Sequence, residues 1–324
     1  MGLVFDAARR VAAIVLGRAG MDLYPVPDGA DTESAEYFAA EIGGSAANIA
    51  VAIARHNHKA ALLAVFSDDA VGRFVRRHLE RYGVDISGCR MVSGAYRTSL
   101  AICETHPTDS ETVFYRNMAA DLQLRREDVV AASIGGAAFL VVTGTALAAE
   151  PSRSAALQTI ALARAAGVFS ILDLDYRPVS SSSREDTQQI LADTATRCDA
   201  VVGNEEEFSV MAGSAARALE IASGLLAKGC QLVIFKMGGA GCLTMTPDDR
   251  FETAPFAVEA KKPFGSGDAF LGNLIVGLLR GLPIAAAVRR AAAAAAYVVA
   301  RRGCAFAMPS CDELDAFIAS YPSS

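Results

Sequence analysis

The sequence offers little for histidine-metal, disulfide or nucleic-acid chemistry. It has four histidines in 324 residues, and only His56 and His58 are close neighbours, so no histidine metal site is expected. Its seven cysteines are an odd number without a CxxC pair, which argues against a disulfide framework or zinc knuckle and favours a reducing cytoplasm. The net charge of -6 comes without a long lysine or arginine cluster, so nucleic acid is not an expected partner.

Uninterrupted apolar runs long enough to cross a membrane are also missing. Residues 284–300 are apolar except for Arg289 and Arg290, which argue against a membrane span. The run 11–16 is too short for the core of a secretory signal and is predicted to be a first buried strand. Hydrophobic residues make up 52% of the chain and charged residues 20%, which is typical of a folded protein. No membrane partner is expected.

Short apolar runs alternate with segments of helical periodicity through most of the chain. This alternation predicts an α/β fold of three layers, with a mainly parallel sheet between helices. No low-complexity linker or internal repeat divides the chain, so residues 1–324 are predicted to form one domain. The predicted strands are 11–16, 60–66, 139–143, 168–173, 200–202 and 232–236. The predicted helices are 71–82, 151–166, 184–197 and 215–228.

One region interrupts the alternation and predicts a small β-lid. Segments 98–103 and 112–116 are strand-like and flank a turn-rich stretch, which indicates a hairpin. A hairpin outside the βαβ repeat lies at an edge or projects from the sheet, where it is able to cover a binding crevice. We expect the lid to consist roughly of residues 18–42 and 91–120, and pairing of two lids predicts a homodimer.

The stretch 262–270 carries the strongest chemical signal. Gly265, Ser266 and Gly267 leave backbone N–H groups open at a helix start, where the helix dipole favours an anion. Asp268 follows just inside the helix. Two interpretations of it stay open here: a carboxylate that complements the helix start, or a general base for a hydroxyl that attacks a γ-phosphate.

Two further clusters of small residues carry weaker signals. Lys236, Gly238, Gly239 and Gly241 lie between two apolar runs, where glycines serve a tight strand-to-strand turn or contact a nucleotide. Their spacing matches neither a Walker A loop nor a dinucleotide-binding fingerprint. The second cluster leads into a helical stretch, and it contains Gly43, Gly44 and Asn48. An asparagine inside a helix is costly unless its amide is used, for example by a substrate hydroxyl.

Taken together and in this order, these motifs resemble the ribokinase (pfkB) family of sugar kinases over essentially the whole chain. Gly43, Gly44 and Asn48 are similar to the family's N-terminal signature, and Gly265–Asp268 is similar to its C-terminal GAGD signature. The family's NxxE element resembles Asn204–Glu207. The resemblance implies a ribokinase-like fold and transfer of phosphate from ATP, with Mg²⁺, to a sugar hydroxyl.

Finer features resemble the subgroup of the family that acts on 5-dehydro-2-deoxygluconate. They are the segments 17–24, 173–178, 205–208 and 303–309. The expected reaction is phosphorylation of a primary hydroxyl on this acid sugar to give its 6-phosphate, as in inositol catabolism. Kinases for 2-dehydro-3-deoxygluconate or for a neutral ketose such as fructose are the enzymatic alternatives, and a sugar or nucleotide sensor without turnover is the alternative of another class.

The resemblance also implies roles for individual residues. Asp268 is the expected base, and Gly265, Ser266 and Gly267 form the expected anion hole. The sugar is expected to contact Asp22, at the end of the first strand, together with Gly43, Gly44 and Asn48; Asp22 is otherwise a plain turn carboxylate. Arg116 and Arg177 are expected to pair with the substrate carboxylate, although either could form a surface ion pair and Arg177 could touch the phosphates. The nucleotide is expected at Asn204, Lys236, Gly238, Gly239 and Gly241, with Mg²⁺ held through water by Asn204 and Glu207.

One departure from the family pattern leads to a further hypothesis. Many relatives have Asp-Thr-Thr before GAGD as part of a monovalent-cation site, whereas this chain has Lys262, Pro263 and Phe264. The Lys262 ammonium is hypothesised to supply the charge that K⁺ supplies elsewhere, or it points into solvent.

Overall fold

A computed structural model describes residues 3–106, 110–131, 134–178, 183–261 and 264–321. Fourteen strands are found in these ranges. They are β1 (Val11–Leu16), β2 (Gly20–Val26), β3 (Tyr37–Gly43), β4 (Ala60–Leu63), β5 (Val65–Ser67), β6 (Arg90–Val92), β7 (Leu100–Cys103), β8 (Thr112–Tyr115), β9 (Ala137–Thr143), β10 (Phe169–Asp173), β11 (Ala200–Asn204), β12 (Leu232–Lys236), β13 (Cys242–Met245) and β14 (Arg250–Thr253).

Ten α-helices lie in the same described ranges. They are α1 (Ser45–Ala54), α2 (Ala70–Arg81), α3 (Arg126–Ala131), α4 (Ser152–Ala165), α5 (Arg184–Ala195), α6 (Glu205–Ala212), α7 (Ala218–Ala227), α8 (Ser266–Leu279), α9 (Ile284–Val299) and α10 (Cys311–Ala319). No single helix in the described part of the chain is long and apolar enough to cross a membrane. By length and composition alone, one pair, Glu205–Ala212 with Ala215–Ala227, meets the criterion together across a bend of 100°.

The central sheet has eight strands in the order β14-β13-β12-β11-β10-β9-β1-β4. The run from β12 to β4 is parallel, and β13 and β14 add antiparallel strands at one edge. Alternate side chains of each strand enter opposite cores, since Ala13 and Val15 pack with α1, α8 and α9, while Ile14 and Leu16 pack with α4 and α5. The predicted three-layer fold is thereby confirmed.

The central strands were predictable because they are buried on both faces and form continuous apolar runs. Two predicted elements need correction. The expected strand 60–66 breaks at Ala64, because the chain leaves the central sheet after β4 and pairs β5 with β6 in a separate two-stranded sheet. The expected helix 215–228 begins with a short 3₁₀ turn, and α7 starts at Ala218.

A second sheet has the order β3-β2-β7-β8 and, apart from Gly43, lies within the two segments that the sequence assigns to a lid. Its β7–β8 pair is the predicted hairpin, with Leu100 opposite Tyr115, although residues 107–109 of the connecting turn lie outside the described ranges. Strand β3 ends at Gly43 and α1 begins at Ser45, so Gly44 alone joins this sheet to the first helix of the central domain. Its φ of 95° lies in a region that favours glycine.

Candidate active site

The candidate active site is centred on Asp268, which is half-buried in the first turn of α8. Its Oδ1 accepts a hydrogen bond from Ser45 Oγ at 2.7 Å, and its Oδ2 accepts one from Asn48 Nδ2 at 2.8 Å. Asp268 does not cap α8, although as the acidic residue of the first turn it still complements the helix dipole. Gly265 is the N-cap, no side chain caps this end, and the Asp268 carboxylate is held by a second helix, α1.

The start of α8 presents backbone N–H groups beside this carboxylate. Gly265 is left-handed with φ 79°, and the first bond within the helix runs from the Ala269 N–H to the Gly265 carbonyl. The N–H of Gly267 precedes that bond and points out of the helix end. A Cβ on Gly265 would approach Cys304 Sγ to 3.0 Å, and one on Gly267 would approach Lys236 Nζ to 3.1 Å. A lysine ammonium thus lies beside the predicted anion hole.

Lys236 is the last residue of β12, and its ammonium is surrounded by carboxylates. Nζ lies 4.0 Å from Asp173 Oδ1. Burial alone would lower the pKa of Lys236, but Asp173, Glu207 and Asp268 raise it above its usual value. Lys236 therefore stays charged at the point where N–H groups and the base meet.

Two aspartates that the sequence analysis gave no role also lie in this site. Asp173 ends β10 and is buried; Ser45 Oγ lies 3.3 Å from its Oδ2, so one hydroxyl contacts both Asp173 and Asp268. Desolvation raises the pKa of Asp173 well above its usual value, although Lys236 opposes the shift. Asp175 is also buried and has a strained φ of 31°. Their positions after a buried strand were the available signal, because the carboxyl ends of parallel strands share one edge.

Both arginines predicted to meet the substrate carboxylate have a protein partner. Arg177 Nη2 lies 3.0 Å from Asp175 Oδ1, and this carboxylate raises the pKa of Arg177. Arg116 is buried; its Nη2 pairs with Asp121 and donates to the Thr145 carbonyl at 3.2 Å. The Nε and Nη1 of Arg116 are buried without a hydrogen-bond partner among the described residues.

The predicted sugar contacts lie where the second sheet meets α1. Asp22 is not at the end of β1 as expected; it lies within β2, opposite Glu41 of β3. The chain turns after Leu16 and starts the new sheet only four residues later, which a pattern of apolar residues does not reveal. A Cβ on Gly43 would lie 2.0 Å from Asp22 Oδ2. The buried Oδ1 of Asn48 has no hydrogen-bond partner among the described residues.

The predicted metal residues Asn204 and Glu207 form a capping box at the start of α6. Asn204 Oδ1 accepts from the Glu207 N–H at 2.9 Å, and Glu207 Oε2 accepts from the Asn204 N–H at 2.7 Å. Their strongest contacts are therefore structural. Desolvation nevertheless raises the pKa of the buried Glu207 carboxyl, and Lys236 opposes it, so this side chain borders the same charged cluster. An oxygen-rich acidic edge of this kind fits a hard cation such as Mg²⁺.

The glycine cluster after β12 forms the tight turn that was one of its two interpretations. Gly238–Ala240 is a 3₁₀ turn, and the Met237 N–H donates to the Gly241 carbonyl at 2.8 Å before β13. Gly238 and Gly239 are exposed, and a Cβ on either would meet nothing within 4 Å. Nucleotide contact by this turn stays a prediction. Lys262 and Pro263 lie outside the described residues.

An aspartate, N–H groups at a helix start and a half-buried lysine define a site suited to phosphoryl transfer, and comparison with known proteins agrees. Residues 12–311 match the model of the pfkB family carbohydrate kinases. The chain is 40% identical to a 5-dehydro-2-deoxygluconokinase of Photobacterium profundum over 315 residues, covering 96% of this chain and 95% of that protein. It is 35% identical over 321 residues to one from Shouchella clausii, covering 98% of each.

Solved structures of other kinases have the same fold. A fructokinase from Vibrio cholerae, with fructose, ADP and a calcium ion bound, superposes with a TM-score of 0.83 at 26% identity, covering 96% of this chain and 99% of that one. A putative ribokinase II from E. coli in complex with ATP and Mg²⁺ has a TM-score of 0.85 at 20% identity, with coverage of 96% and 100%, and supports the fold. The chain belongs to the pfkB family of carbohydrate kinases. It is an ATP-dependent kinase whose small-molecule partners are a sugar and ATP.

Proposed function

We propose that the enzyme phosphorylates the primary hydroxyl of 5-dehydro-2-deoxy-D-gluconate to give the 6-phosphate. The observation that carries the reaction type is the Asp268 carboxylate, held by Ser45 and Asn48 beside the start of α8. The choice of sugar is supported by the names of the relatives that are 35 to 40% identical over nearly their full length. The proposed place of action is the cytoplasm.

In the proposed mechanism, Asp268 accepts the proton of the sugar hydroxyl. The hydroxyl oxygen forms a bond to the γ-phosphorus while the bond from that phosphorus to the bridging oxygen of ADP breaks. The N–H groups of residues 265–267, together with the Lys236 ammonium, stabilise the charge on the transferred group. Because Ser45 and Asn48 hold both carboxylate oxygens, the base is oriented before substrate arrives.

Sugar binding is proposed at Asp22, Gly43, Gly44 and Asn48. The buried Asn48 Oδ1, which has no partner among the described residues, is suited to accept a bond from a sugar hydroxyl. Because Gly43 has no side chain, the Asp22 carboxylate is able to occupy the space where a Cβ at position 43 would lie. Arg116 is proposed to donate to the substrate carboxylate, and Arg177 to border the phosphates.

Nucleotide and metal binding are proposed on the other side of Lys236. The exposed turn formed by Gly238, Gly239 and Gly241 is proposed to border the nucleotide. Asn204 and Glu207 would hold Mg²⁺ through water, because their direct contacts are to each other. When bound, this cation supplies positive charge to the phosphate oxygens.

A homodimer through the lid is also proposed. The two edge strands of the second sheet, β3 and β8, expose aromatic side chains: 71% of Tyr37 and 58% of Tyr115 are accessible. A second copy of the chain would cover these edges. Sedimentation of the wild-type enzyme and of a Tyr37→Lys variant measures this, and a monomeric wild type would contradict it.

The reaction is tested by ADP release with wild-type enzyme and Asp268→Asn on 5-dehydro-2-deoxygluconate, 2-dehydro-3-deoxygluconate, fructose and ribose. We expect the first sugar to have the highest kcat/KM and the variant to lose about 10²- to 10⁴-fold in kcat. Asp312→Asn, an exposed aspartate on α10, is the matched control. A higher kcat/KM on another sugar would replace the proposed substrate, and an active Asp268→Asn enzyme would remove the proposed base.

A further inference from the structure

Arg18 is a buried cation in the turn between β1 and β2, outside the set of residues that surrounds Asp268. Only 8% of its surface is exposed. Its Nη1 donates to Ser99 Oγ at 3.2 Å, and its guanidinium carbon lies 5.7 Å from the centre of the Phe114 ring. Both contacts are neutral, so they orient the guanidinium without balancing its charge.

Arg18 differs in this respect from the other two arginines near the site. Arg116 pairs with Asp121, and Arg177 pairs with Asp175. In the described part of the chain, no carboxylate oxygen lies within 4.0 Å of a side-chain nitrogen of Arg18. Because a buried charge without a counter-ion is costly, this arrangement is expected where an anionic ligand completes the pair.

The position of Arg18 connects it to the proposed sugar site. The Ala47 N–H of α1 donates to the Arg18 carbonyl at 3.4 Å, and a Cβ on Gly44 would lie 2.6 Å from that carbonyl. A Cβ on Gly20 would lie 3.1 Å from Arg18 Nη1, and Gly20 pairs with Gly43, the glycine against which Asp22 packs. The guanidinium therefore lies on the lid, next to the strands that carry the proposed sugar contacts.

Arg18 and Arg116 are both linked to the Leu100 end of the β7–β8 pair. Arg18 bonds to Ser99, which precedes Leu100, and Arg116 follows Tyr115, the residue paired with Leu100. Both arginines are therefore linked to the same end of the β7–β8 pair, Arg18 through Ser99 and Arg116 through Tyr115. Arg116 brings two buried N–H groups that have no hydrogen-bond partner among the described residues, but its charge is balanced by Asp121. Arg18 brings a charge that forms no ion pair within the described ranges.

We propose that Arg18 binds the carboxylate of the acid sugar and sets the preference of the enzyme for an anionic substrate. Arg116, whose own charge is balanced by Asp121, donates further N–H bonds to the same carboxylate. This inference rests on the proposed function. A guanidinium is suited to the task because it offers planar N–H donors that match a carboxylate.

The test compares wild type, Arg18→Gln and Arg18→Lys on 5-dehydro-2-deoxygluconate and on its uncharged C1 methyl ester. For the acid, Arg18→Gln is expected to lower kcat/KM by about 10- to 100-fold, mainly through KM, because one charge-assisted interaction is lost. For the ester, the same variant should change kcat/KM by less than about threefold, since no charge is recognised. Arg18→Lys is expected to recover part of the loss on the acid only.

The matched control is Arg97→Gln, an exposed arginine of the same lid region whose Nη1 donates to backbone carbonyls. Its kcat/KM on both compounds is expected to be unchanged. Equal losses on acid and ester in Arg18→Gln would make Arg18 structural and overturn the inference, as would no loss on either. A wild type without turnover of the acid defeats the proposed function and the inference with it, whereas an active wild type with a non-discriminating Arg18→Gln defeats the inference alone.

Discussion

Removing the amide that holds Asp268 should move the pH dependence of the reaction. Desolvation raises the pKa of Asp268 above its ordinary value, Asp175 adds to the shift, and the bonds from Ser45 and Asn48 oppose it because they favour the charged form. In Asn48→Ala, the 2.8 Å bond from Nδ2 to Asp268 Oδ2 is lost. The pKa of the base is therefore expected to rise further.

The size of this shift follows from the strength of the lost bond. A hydrogen bond to a charged group contributes about 1.5–3 kcal/mol, and 1.36 kcal/mol corresponds to one pKa unit. Since water replaces part of the interaction at a half-buried carboxylate, we expect a rise of about one unit. The base must be deprotonated to act, so activity is lost as pH falls through the raised pKa, and the acid limb of Asn48→Ala lies at higher pH than that of wild type.

The assay is kcat/KM for the sugar between about pH 4 and pH 9, because this profile reports the free enzyme's base. Asn273→Ala is the control: Asn273 is a buried asparagine of α8, and its Nδ2 donates to the Ala269 carbonyl rather than to Asp268. Its acid limb should coincide with that of wild type. An acid limb in Asn48→Ala that stays in place, or moves to lower pH, would refute the assignment of Asp268 as the titrating base held by Asn48.

Three further predictions concern Lys236, Gly43 and Lys262. Lys236→Met removes the ammonium beside Gly267 and should lower kcat about 10²- to 10³-fold, with a smaller change in the sugar's KM. Steady-state kinetics measures both constants, and a variant that retains the wild-type kcat would contradict this prediction. Gly43→Ala places a Cβ 2.0 Å from Asp22 Oδ2 and should raise the sugar's KM at least about tenfold. The control is Gly224→Ala, whose Cβ would meet nothing within 4 Å and which should leave the sugar's KM unchanged. If Lys262 replaces a monovalent cation, the rate is the same in KCl and NaCl, and strong activation by K⁺ would disprove that hypothesis.

The sequence predicted best what depends on burial and least what depends on how the chain turns. Strands β1 and β12 have the bounds expected from their apolar runs, because a parallel strand covered on both faces is apolar along its length. The predicted strand 60–66 was too long, because apolar residues continue where the chain changes sheet. The position of Asp22 in the second sheet depends on a turn after β1, and the spacing of apolar residues does not reveal that turn.

Within the candidate site, motifs gave individual residues but not their contacts. Asp268 and Ser45 are 223 positions apart and meet because α1 and α8 pack side by side on one face of the sheet. Nothing local in either segment encodes that bond. Asp173 was missed for a similar reason, since its role in the site depends on contacts with Lys236 from another strand and Ser45 from a helix.

The single-residue connection at Gly44 links the position of the second sheet to the position of the residues that hold the base. Strand β3 belongs to the second sheet, α1 carries both donors that hold Asp268, and Gly44 alone separates them. Because no other residue lies between them, a displacement of the end of β3 would also displace the start of α1, where Ser45 lies. Any movement of the second sheet would therefore also reach Ser45 and Asn48, the two residues of α1 that hold the Asp268 carboxylate.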